Sequence, residues 1–67
     1  MELTFSPEER ELLLEILEEH NRELIMEIAR TIHHDFKAEL KKKERMVESM
    51  VHKLEQYHPA ETVLQPV

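Results

Sequence analysis

Two apolar seams at helical spacing run through this chain, and they do not share a phase. Leu14, Leu17, Asn21, Leu24, Ile28 and Thr31 recur in alternating steps of three and four, the repeat of a helix that buries one stripe. Phe36, Leu40, Lys43, Val47, Met50, Leu54 and Tyr57 form a second such series. Extending the first seam would turn Asp35, Ala38, Lys42 and Arg45 inward and strip charged groups of water. The phase must therefore reset between Thr31 and Phe36. The stretch Thr31-Ile32-His33-His34-Asp35 is the poorest in helix formers, and Thr31 or Asp35 can cap a new helix. A reversal there leaves helices over about residues 7–31 and 35–57, each roughly 35 Å long at a rise of 1.5 Å per residue. Matched arms are what an antiparallel hairpin requires. The alternative is one helix, kinked or rewound at His33-His34, since no Gly or Pro in that stretch forces a turn.

The ends of the helical region carry their own signals. Ser6-Pro7-Glu8-Glu9 reads as a helix start: Ser6 caps the first free N–H groups, and Pro7 has no N–H to leave unpaired. Glu9 completes a capping box, and Glu8, Glu9 and Glu11 sit where the helix dipole favours negative charge. Pro59 is expected to stop the second helix, because the residue before a proline avoids helical geometry. Ala60 to Val67 has no periodicity and reads as a flexible tail, so the chain divides into a hairpin over 1–58 and a tail over 59–67.

With Ser6-Pro7-Glu8-Glu9-Arg10-Glu11-Leu12-Leu13-Leu14-Glu15, then Glu27-Ile28-Ala29-Arg30-Thr31, Asp35-Phe36-Lys37, Leu40 and Lys43-Glu44 leading to Leu54, the chain resembles a set of small uncharacterised bacterial proteins. They share a helical-hairpin pattern, with a Thr before the bend and an acidic-aromatic-basic triplet after it. This sequence departs from them in carrying Ile32-His33-His34 after Thr31, where a short polar residue is usual. The resemblance covers most of residues 4–55 and implies a hairpin; it brings no activity, ligand or catalytic residue.

Composition narrows the function classes. In 67 residues there is no Cys and no Gly. Without Cys there is neither a disulfide framework nor a thiolate nucleophile or metal site. Without Gly there are no phosphate-cradling loops of the usual kind and few routes to tight β turns. Nine Lys and Arg against 15 Asp and Glu make nucleic acid an unlikely main partner. No apolar run approaches the roughly 18–20 residues that span a bilayer, and Met1-Glu2-Leu3-Thr4-Phe5 does not read as a secretory signal. The expectation is a soluble, cytoplasmic chain without a membrane association.

The apolar sector is too wide for a two-stranded seam. Leu13, Ile16, His20, Ile25 and Ile32 flank the first seam, so apolar surface covers about half the circumference and implies more than one neighbouring helix. A lone hairpin would leave much of it in water. The expected architecture is all-α: an antiparallel two-helix hairpin dimerising into a four-helix bundle. Leu13, Leu14, Leu17, Asn21, Leu24, Ile28, Phe36, Leu40, Val47, Met50 and Leu54 are its core and dimer residues. Charge fits such pairing: residues 1–31 hold nine acids and three bases, residues 32–67 six of each. Asn21 on the seam is either a register-setting polar residue or one facing solvent at its edge. The expected role is a non-enzymatic assembly module whose partner is itself, with an unidentified protein partner as a further option and no cofactor.

Other constellations were weighed against blander meanings. Five histidines invite a metal, yet only Glu55-Gln56-Tyr57-His58 has Glu-x-x-His spacing, and His33 and His34 point about 100° apart on a helix. Solvated or packing-edge histidines are the simpler reading, and a metal-binding bundle the alternative. Ser6 and Ser49 have no evident base, which argues against an enzyme. Lys37, Lys41, Lys42, Lys43 and Arg45 could form a nucleic-acid-binding face, but Glu39 and Glu44 interrupt it. Met26 with Ala29 is either an isolated exposed pair or a small sticky spot. Leu3 and Phe5 are expected to close the open end of the hairpin against Leu54 and Tyr57.

Overall fold

The computed structural model describes residues 3–58; the tail predicted for 59–67 lies outside them. Two helices, α1 (Pro7–Arg30) and α2 (His34–Glu55), pack against each other as an antiparallel hairpin, and the described residues contain no strand. The kinked single helix is thereby excluded.

α1 starts as its sequence requires. The Ser6 Oγ accepts the Glu9 N–H at 3.1 Å while the Glu9 carboxylate accepts the Ser6 N–H at 2.9 Å, and Pro7 occupies the first helical position. It ends at Arg30. Thr31, with φ −81° and ψ 142°, leaves the helix while its N–H still donates to the Glu27 carbonyl at 3.0 Å.

The bend consists of three residues, Thr31, Ile32 and His33. Both flanking residues adopt extended backbone (His33 φ −92°, ψ 115°), and no described residue has a positive φ. A connection of this type needs no glycine, so a chain without one can still reverse. Neither Thr31 nor Asp35 caps α2 with its side chain. His33 holds the N-cap position and makes no side-chain cap, while the Thr31 hydroxyl accepts the His33 N–H at 3.4 Å and so braces the bend itself. Asp35 lies in the first turn of α2, a favourable place for an anion.

α2 stops at Glu55, before the stretch that Pro59 governs. Gln56 caps it, and the Tyr57 N–H turns back to the Leu54 carbonyl at 3.1 Å. What ends the helix here is tertiary. The Tyr57 ring meets Phe5 edge-on, with centroids 6.0 Å apart, and its hydroxyl accepts the Phe5 N–H at 2.9 Å. Leu3, expected to join this closure, instead stays exposed.

Arg10 completes the latch. Its Nε donates to the Leu54 carbonyl at 2.8 Å and a terminal nitrogen donates to the Glu55 carbonyl at 3.0 Å. Those carbonyls belong to the last turn of α2, which has no helical partner for them and carries the negative end of the dipole. A guanidinium from the other helix satisfies both needs. Replacing Arg10 by Met keeps the aliphatic packing and removes these bonds. Denaturation at fixed protein concentration is expected to show a loss of about 1.5–3 kcal/mol, the usual worth of hydrogen bonds to a charged group.

Candidate functional site

Among the described residues four side chains are buried: Leu17 and Leu24 on α1, Leu40 and Val47 on α2. Leu13, Ile28, Val51 and Leu54 pack around them. In α1 the inward stripe is the predicted one, with Leu14 and Asn21 also half-buried. In α2 it is rotated. Leu40, Val47 and Leu54 point inward as predicted, but the positions between them are Lys37, Glu44 and Val51 rather than Phe36, Lys43 and Met50. Phe36 and Met50 remain 49% and 47% exposed, so neither belongs to the core of the hairpin. Lys37 and Glu44 are half-buried at these positions, which long side chains tolerate because their aliphatic stems can lie along apolar surface.

The displaced residues collect on one side of the molecule. Thr4, Phe5, Glu9, Leu12, Leu13 and Ile16 line one open groove along α1. Phe36, Glu39, Leu40, Lys42, Lys43 and Met46 line another along α2. The opposite side of the hairpin is polar where the helices meet: Glu18, Asn21, Arg22, Glu48 and Val51 form its groove. Asn21 lies at that edge, half-buried, with its Oδ1 shielded from solvent and unpartnered among the described residues. Glu44 is next to it. Burial and the neighbouring Glu48 carboxylate hold the Glu44 carboxyl above its ordinary value of 4.5, while the Asn21 amide and Arg45 pull the other way.

The remaining candidates stay apart. His20 approaches Glu23 at 3.8 Å, and His52 pairs with Gln56 at 3.2 Å. His33 and His34 are exposed at the bend, and no group of three His, Asp or Glu side chains suited to a metal occurs among the described residues. Lys41, Lys42, Lys43 and Arg45 are all exposed; at about 100° per residue Lys41 and Arg45 share a flank of α2 with Lys37, while Lys43 lies on the other flank. Met26 and Ala29 are exposed on the outside of α1. No described helix is long and apolar enough to cross a membrane. Sequence reading overlooked Arg10, although it stands seven residues before Leu17 and thus on the extended seam. No protein-family model matches the chain, and neither the curated proteins nor the solved structures yield a similar one.

Because the folded state raises the Glu44 pKa, it binds a proton more readily than the unfolded chain, and stability falls as pH rises through the window above 4.5. Glu44→Gln is therefore expected to raise the denaturation midpoint at pH 7. The gain should vanish in parallel measurements below pH 4, where Glu44 is protonated in both states.

Proposed function

We propose that this chain is a non-enzymatic assembly module of the cytoplasm that acts by pairing with a second copy of itself, two hairpins forming a four-helix bundle. One observation carries the reading: among the described residues the hairpin buries four side chains and leaves Leu12, Ile16, Phe36, Met46 and Met50 about half exposed on one side. Apolar surface presented by both helices on one side exceeds the scattered single residues that a soluble monomer normally shows. Covering the rest of each such side chain contributes on the order of 1 kcal/mol, half the worth of full burial. Five per protomer amount to a large fraction of the stability of a domain this small. The grooves among the described residues are open, and their histidines stand apart, which supports an apolar docking reading over a metal site.

Sedimentation equilibrium over a micromolar concentration series is expected to give twice the 8.1 kDa chain mass, with a thermal midpoint that rises with concentration. A well-folded monomer across that range, with a concentration-independent midpoint, would overturn the proposal.

A further inference from the structure

Resting on the homodimer reading, we infer how the two copies meet: they dock through the Leu12, Ile16, Met46, Met50 face with both bends at the same end, so that α1 of each lies on α2 of the other. The twofold axis then runs parallel to the helices.

The choice of face follows from which sides of the two helices coincide. Leu17 and Leu24 set the inward direction of α1, and Leu40 and Val47 that of α2. At about 100° per residue, Leu12 and Ile16 fall on the flank of α1 that also carries Phe5. Met46, Met50 and Phe36 fall on the flank of α2 that carries Tyr57. The Phe5–Tyr57 contact shows that these flanks belong to one face. Five of the nine large apolar side chains left exposed lie there, contributed by both helices. On the opposite face α1 offers Ile25, while α2 offers Lys37, Lys41, Glu44 and Glu48. Only the first face can receive a second hairpin along both of its helices.

The orientation follows from where the patch lies along the rods. Arg10 is level with Leu54, and the bend is centred on Ile32, which puts Leu17 level with Val47 and Leu24 with Leu40. Leu12, Ile16, Met46 and Met50 therefore all occupy the half nearer the free ends, while the bend half of the same face carries Glu23, Glu27, Glu39 and Lys43 beside Phe36. Two copies with bends at opposite ends and full overlap would set Met46 over Lys43 and Met50 over Glu39. Sliding them until the apolar halves meet would shorten the shared length and lay α1 on α1. That pairing is like-charged, since α1 has eight acids and three bases. With the bends together the apolar halves coincide over the whole helix length. The acidic α1 then rests on a partner α2 with five acids and six bases.

The absence of cysteine makes a single spin label clean. Ile32→Cys places it on a bend residue that is 85% exposed and outside the proposed contact. Sedimentation of the labelled protein comes first: a monomer would sink the homodimer reading itself. In a dimer, electron–electron distance measurement is expected to place the two labels within about 25 Å, two to three interhelical spacings. A separation of about 35 Å or more, one helix length, would overturn the arrangement while leaving dimerisation standing. The face is tested with Ile16→Glu and Ile25→Glu, a pair 54% and 50% exposed in the hairpin. Ile16→Glu is expected to raise the dimer Kd at least tenfold and Ile25→Glu to change it less than threefold; the reverse order would overturn the choice of face.

Discussion

Four aliphatic side chains at seven-residue spacing, Leu17 and Leu24 against Leu40 and Val47, hold this molecule together, and everything else in it answers to how little they enclose. Seven residues bring a helix back to nearly the same angle after two turns, so each rod meets its neighbour along a line. A line has no depth. Side chains to either side, such as Leu13, Ile28 and Val51, are only partly covered, and those further round, such as Leu12 and Met46, stand in water.

A narrow seam cannot by itself fix where two rods begin and end, and the polar chemistry is concentrated at the ends. At the start of α1 a reciprocal cap consumes the free N–H groups. At the finish of α2 the Arg10 guanidinium donates to the Leu54 and Glu55 carbonyls, and Tyr57 folds under Phe5. The bend is held by a single hydroxyl and by backbone angles that any residue tolerates. Exposed ion pairs along α1, between Arg22 and Glu19 and between Arg30 and Glu27, stay within one helix and do not choose its partner.

The hairpin was legible in the sequence because its signals are local. A capping box, two seams out of phase and a propensity minimum each refer to residues a few positions apart. The face of α2 was not. Leu40, Val47 and Leu54 fit two stripes equally well, one through Phe36, Lys43 and Met50 and one through Lys37, Glu44 and Val51. Hydropathy favours the aromatic and the methionine. The fold takes the second stripe, because the stems of Lys37 and Glu44 can shelter leucines without drowning their charges. Arg10 was hidden for the same reason: an arginine reads as surface until the carbonyls it must reach are placed beside it. The closure by Phe5 and Tyr57 was anticipated from antiparallel topology alone, while the early stop of α2 was not, since Pro59 drew the expected boundary further along the chain.

The latch joins residues 44 to 52 positions apart, the widest separations bridged by hydrogen bonds among the described residues, whereas the bend joins neighbours. Loop-closure entropy makes such distant pairs the last to form unless nearer ones have already drawn the strands of the hairpin together. Closure therefore costs least for Leu24 with Leu40 beside the bend, more for Leu17 with Val47, and most for the latch. Opening the free ends means breaking the Arg10 and Tyr57 bonds across the hairpin as well as the local cap of α1.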